Sequence, residues 1–137
     1  MSAIILTTIN ARYIHANLGL RWLYANLKTL QSETLIQEYC LTDHTADIAE
    51  QILQSAPKVV GIGVYIWNAM EVRQLVRILK RVAPDTIIVL GGPEVSHQPF
   101  RVDFSEADYL IQGEGEQSFS ELCEMLLSGS PPLQRII

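Results

Sequence analysis

Apolar residues recur along the chain in two alternating rhythms. Short, nearly uncharged runs at residues 3–8, 34–39, 59–65, 86–90 and 107–111 are bounded by polar or chain-breaking residues and read as strands buried on both faces. Between them the spacing changes to i, i+3, i+4, i+7. Leu20, Leu23, Tyr24 and Leu27 share one face of a helix starting near Asn17. Ile48, Ala49, Ile52 and Leu53 mark a shorter helix that Asp43 or Thr45 is placed to cap and Pro57 ends. Val72, Leu75, Val76 and Leu79 form the clearest stripe, opened by Asn68 and Glu71 at capping-box spacing. Phe119, Leu122, Cys123 and Leu126 form the last, with Gly129 as a cap after its end.

Five strands alternating with helices predict an α/β fold: a doubly wound, five-stranded parallel sheet of flavodoxin-like or Rossmann-like type, in a three-layer α/β/α sandwich. The expected strand order is 2-1-3-4-5, with the Val-rich run at 59–65 in the middle. Ligands of such sheets collect at the carboxyl ends of the strands, above all where the order reverses, between strands one and three.

Composition narrows the classes. In 137 residues, 48% are of hydrophobic type and 18% are charged, which suits one ordinary domain and argues against disorder. Ten bases against fifteen acids give a net charge of −5, so nothing draws the chain to nucleic acid. No apolar run approaches the ~20 residues of a membrane span, and the amino end lacks a basic leader, so a cytoplasmic location is expected. Cys40 and Cys123 are far apart and belong to no Cys-x-x-Cys unit; both are expected to be reduced and inert. Residues 129–137, with Pro131-Pro132, read as a linker rather than a terminus. Arg73, Arg77, Lys80 and Arg81 form a basic face on the third helix, read as solvated.

The chemistry on the carboxyl edge is unusual. Its loops carry Asn10, Arg12, Tyr13, His15 and Asn17; Tyr65, Trp67 and Asn68; Gly91, Gly92, Pro93 and Glu94; and Gly113, Glu114, Gly115 and Glu116. A phosphoacceptor receiver needs acids after the first and third strands, where Thr7, Thr8 and Tyr65 stand instead. A flavodoxin phosphate loop needs more hydroxyls than residues 8–12 offer. Gly113-Glu-Gly-Glu-Gln-Ser118 imitates a dinucleotide motif, but after the wrong strand and with two carboxylates that would repel a pyrophosphate.

Four segments, Asn10-Ala-Arg-Tyr-Ile-His-Ala-Asn-Leu-Gly-Leu-Arg21, Gly61-Ile-Gly-Val-Tyr65, Leu90-Gly-Gly-Pro-Glu-Val95 and Ala107-Asp-Tyr-Leu-Ile-Gln-Gly-Glu-Gly-Glu116, together resemble the N-terminal cobalamin-binding domain of cobalamin-dependent radical S-adenosylmethionine (SAM) enzymes, including the anaerobic magnesium-protoporphyrin monomethyl ester cyclases. The spacing from Gly-Gly-Pro-Glu to Gly-Glu-Gly-Glu is their most specific part. The resemblance implies a cobalamin-binding domain over 1–128, followed by the start of a linker to a radical SAM barrel of the same polypeptide, with its 4Fe-4S cluster and SAM. It implies methyl transfer or related radical chemistry in the whole enzyme, and no turnover by this chain alone.

The same resemblance implies that Gly61, Gly63, Gly91 and Gly92 let the nucleotide tail of a base-off cobalamin lie against the strand ends, while Tyr13, Tyr65 and Trp67 supply flat contact area. Asn17, Pro93, Glu94, Gly113, Glu114 and Gly115 complete the candidate set. Many cobalamin domains carry Asp-x-His-x-x-Gly after the first strand, with the His on cobalt. Here the loop reads Tyr13-x-His15-x-x-Leu18-Gly19. His15 is therefore the candidate lower cobalt ligand, its alternative being a loop residue bonded to backbone. The second reading of the chain is a cofactor-free docking or recognition module.

Overall fold

The computed structural model describes residues 3–11 and 17–137. Its strands are β1 (Ile4–Asn10), β2 (Thr34–Cys40), β3 (Val59–Gly63), β4 (Ile87–Gly91) and β5 (Tyr109–Leu110), and its helices are α1 (Leu18–Ala25), α2 (Thr45–Leu53), α3 (Ala69–Val82) and α4 (Glu116–Leu127). The sheet is parallel throughout, in the order β2-β1-β3-β4-β5. β3 is central, and the order reverses between β1 and β3, as expected.

Strand alternation divides the apolar residues between two layers. Ile5, Ile9, Val60, Ile62, Ile88 and Leu90 face α2 and α3, where Ile48, Ile52, Val72, Leu75 and Leu79 complete one core. Ile4, Leu6, Val59 and Val89 face α1 and α4, where Leu20, Phe119 and Leu122, with Leu27 just past the end of α1, complete the other. The second layer thins toward the carboxyl edge: after Leu6 comes the small Thr8, and after Val59 and Val89 come the glycines Gly61, Gly63 and Gly91. A core that runs out of side chains on one face leaves a hollow there.

Local details differ from the sequence expectations for identifiable reasons. β1 continues to Asn10 because β2 remains paired with it through Asn10 and Cys40. Asn68 is the N-cap residue of α3 but makes no capping bond. Its side chain, wholly buried, accepts from the Tyr65 amide at 2.8 Å and donates toward Thr8 Oγ1 at 3.2 Å, the Ile9 carbonyl at 3.0 Å and the Gly63 carbonyl at 3.3 Å. It ties the end of β1 to the turn after β3. The N-cap of α2 is His44, without a side-chain bond, while Asp43 accepts from the Cys40 amide. The basic face of α3 is partly tied down. Lys80 Nζ donates to the carbonyls of Pro84 and Thr86 and pairs with Asp108 at 3.0 Å; Arg77 pairs with Glu106.

Gly129, at φ +84°, ends α4 as expected. Ser130 N donates to Met125 O and Gly129 N to Leu126 O, the paired bonds of a Schellman motif. Beyond it the chain adds to the sheet edge. Ile136 bridges Leu110 in parallel, flanked by bonds from Leu110 N to Arg135 O and from Ile137 N to Leu110 O. The Arg135 guanidinium donates to the carbonyls of Phe104 and Ala107. No helix among the described residues is long and apolar enough to cross a membrane.

Candidate functional site at the carboxyl edge

The hollow between the sheet and helices α1 and α4 is a cavity of about 170 Å³. Its walls combine apolar side chains from both helices and from the residue just after β5 (Leu20, Leu23, Phe119 and Ile111) with the backbone of three glycine-rich strand ends. Asn17, Gly61, Gly63, Tyr65, Gly91, Gly92, Gly113, Glu114 and Gly115, nine of the sequence-predicted site residues, line it. Trp67, Pro93 and Glu94 do not. Trp67 instead borders an adjoining groove with Asn10, Leu18, Gly19 and Tyr65. Tyr13 and His15 lie outside the described residues.

The glycines are not equivalent. A Cβ on Gly61 would sit 2.9 Å from the Phe119 ring and 3.1 Å from Leu6, so this glycine admits the α4 aromatic against the sheet. Gly92 has φ +105°, and a Cβ there would approach the Val64 carbonyl oxygen to 2.6 Å; close backbone approach requires it. At Gly63 a Cβ would meet the Tyr65 ring at 3.3 Å. On Gly91 it would find only the Ile111 carbonyl, at 3.9 Å. Gly91 thus leaves open space over the cavity floor.

Two hydrogen-bonded systems hold the rim. In the first, Glu38 on β2 collects Asn10 Nδ2 at 3.1 Å, the Asn17 amide at 2.7 Å and Arg21 Nη2 at 2.8 Å. Asn17 caps α1 by accepting from the Leu20 amide, and its Nδ2 donates to the Tyr65 hydroxyl at 3.1 Å. The Tyr65 ring stacks on Trp67, centroids 4.6 Å apart and 3° from parallel, and Trp67 Nε1 donates to the Ile9 carbonyl. Burial alone would raise the Glu38 carboxyl; bonds from Asn10, Arg21 and the Asn17 amide, with the Arg21 charge, outweigh it and hold the group below its ordinary value. In the second system, Ser96 Oγ donates to the Gly92 carbonyl at 2.7 Å and accepts from the Gly113 amide at 3.1 Å, while Gln112 Nε2 donates to the Val95 carbonyl. It joins the loop after β4 to the loop after β5.

Sequence reasoning named the loops that border the cavity, but not Leu20, Leu23, Ile111 and Phe119 in its walls or Glu38 and Arg21 at its rim. Glu38 sits inside a strand, where a carboxylate at the carboxyl end was the available signal. The others read as helix or strand core. Among the described residues no group of three His, Cys, Asp or Glu side chains is placed to hold a metal ion. Burial pushes the Cys123 thiol up to about 12, and both cysteines are buried.

The cavity's chemistry fits a corrinoid's nucleotide tail better than a polar nucleotide. Leu20, Leu23, Ile111 and Phe119 suit a flat apolar group such as a dimethylbenzimidazole, and Gly91 leaves the strand end without side-chain obstruction.

Comparison with known proteins gives the family. Residues 4–123 match the B12-binding domain family. The chain is 32% identical over 98 residues to the 2-(S-pantetheinyl)-carbapenam-3-carboxylate methyltransferase of Streptantibioticus cattleyicolor, a match covering 70% of this chain and 14% of that protein. It is 32% identical over 87 residues to the cobalamin-dependent radical SAM methyltransferase TokK of Streptomyces tokunonensis, covering 62% of this chain and 12% of TokK. The chain therefore spans about one seventh or less of these relatives. In fold it is similar to TsrM of Kitasatospora setae, a radical SAM methyltransferase solved with cobalamin and a 4Fe-4S cluster: TM-score 0.65, 23% identity, 97% of this chain and 26% of TsrM. The chain belongs to the B12-binding domain family.

Proposed function

We propose that this chain holds cobalamin at the carboxyl edge of its sheet, as the cofactor domain of a cobalamin-dependent radical SAM methyltransferase. The observation that carries this reading is the cavity over Gly91, walled largely by apolar side chains and open above the glycine, where an added Cβ would meet only the Ile111 carbonyl. Leu20, Leu23, Ile111 and Phe119 would enclose the base of the nucleotide tail. Gly91 would let the tail pass close to the sheet, and the stacked Tyr65 and Trp67 rings would offer a flat, partly apolar surface beside the corrin. When bound, cobalamin supplies a cobalt that takes up and passes on a methyl group.

Methyl transfer is preferred to oxidative cyclisation because both relatives at 32% identity are methyltransferases. The radical chemistry, with its 4Fe-4S cluster and SAM, would belong to a barrel reached through residues 129–137, so this chain alone would show no turnover. His15 remains the candidate lower cobalt ligand. Two buried thiols without a disulfide fit a reducing, cytoplasmic compartment.

Hydroxocobalamin titrated into the 137-residue chain should shift the corrin absorption bands with saturation. An unchanged spectrum, with no heat in calorimetry, would favour the cofactor-free docking module.

A further inference from the structure

Glu38 lies on β2, outside every loop that carries the expected chemistry, yet the rim of the cavity converges on it. Its side chain is only 19% exposed. Oε1 accepts from Asn17 N at 2.7 Å and Asn10 Nδ2 at 3.1 Å, and Oε2 pairs with Arg21 at 2.8 Å. These groups come from the end of β1, the N-cap of α1 and the first turn of α1. Asn17 then reaches the Tyr65 hydroxyl, and Tyr65 stacks on Trp67. A carboxylate that served only to pair with Arg21 would need neither of the other two donors.

We propose that Glu38 is a positioning residue of the cofactor site: it fixes the backbone of Asn17 and, through the Asn17 side chain, the placement of the Tyr65–Trp67 platform. This deepens the cobalamin reading and rests on it. Arg21 supports the same residue from the other side, its Nη1 donating to the Asn17 carbonyl at 3.0 Å, but its guanidinium does not line the cavity, while Glu38 Oε1 holds the Asn17 amide and Asn10, the two donors nearest the rim. The oxygen matters more than the charge.

The test uses the 137-residue chain with Trp22, which is 62% exposed, replaced by Phe so that emission reports Trp67 alone. Glu38→Ala should weaken hydroxocobalamin binding about tenfold or more, the scale of a lost charge-assisted hydrogen bond, and shift Trp67 emission. Glu38→Gln keeps an oxygen for Asn17 and should stay within about threefold of the parent. Glu38→Asp, one methylene short, should weaken binding in the same direction as Ala, and it carries the test if Glu38→Ala does not fold. Parental affinity and unchanged Trp67 emission in Glu38→Ala, or parental affinity in Glu38→Asp, would overturn the proposal even if melting temperatures fell. A parent chain that leaves the corrin spectrum unchanged overturns the cobalamin reading, and this inference with it.

Discussion

Gly61 and Gly91 both line the cavity, yet adding a side chain to each tests something different. On Gly61 it would meet the Phe119 ring at 2.9 Å, so Gly61→Ala should destabilise the fold by about 1–3 kcal/mol through overpacking, seen as a lower melting temperature. Gly91 has open space, so Gly91→Leu should fold with a near-parental melting temperature while weakening hydroxocobalamin binding by at least about tenfold, because the side chain fills room the ligand needs. Equal binding by Gly91→Leu would place the tail elsewhere. Thr7 raises a separate question. It is wholly buried, on the face toward α2 and α3, and its hydroxyl has no hydrogen-bond partner among the described residues. Thr7→Val removes that unmet polar group at nearly constant shape and should raise stability by about 1 kcal/mol in urea denaturation. A fall instead would reveal a partner for the hydroxyl.

At the scale of elements, the segment read as a linker is the sixth row of the sheet through Ile136, beside the very short β5. β5 would otherwise be an open edge. Arg135 fastens this row by donating to the Phe104 carbonyl and, at 3.2 Å, to the Ala107 carbonyl, and the Ile137 carbonyl accepts from Gln112 N. Gln112 in turn bonds Val95, and the adjacent Gly113 bonds Ser96, so the row also supports the cavity rim. Arg135→Ala should therefore cost about 1–3 kcal/mol and speed amide exchange at Leu110, Gln112 and Ile137 more than at β3. Uniform exchange across the sheet would show the row to be a passive passenger.

For the whole molecule, acid is the expected route to instability. Glu38 and the exposed Asp103 have native values held below the ordinary ones. Each contributes stability that is present above its ordinary value, 4.5 for Glu38 and 3.8 for Asp103, and lost as pH falls through the lowered native value. The melting temperature should be nearly flat from about pH 7 to 5 and fall below about pH 4.5, less steeply in Glu38→Gln. The sheet order and the four helices were legible in the sequence, because burial of strands on both faces and of helices on one leaves periodic signatures that need no knowledge of neighbours. Asn68 shows where such reading stops: its spacing to Glu71 fits a cap, but Thr8, Ile9 and Gly63 are nearer partners once β1 and β3 pair. Which glycine opens onto the cavity, that Glu38 gathers the rim, and that residues 135–137 pair with the sheet edge depend on distances between segments far apart in the chain. Local sequence determined which elements form; only packing, which sets those distances, decided which residues build the site.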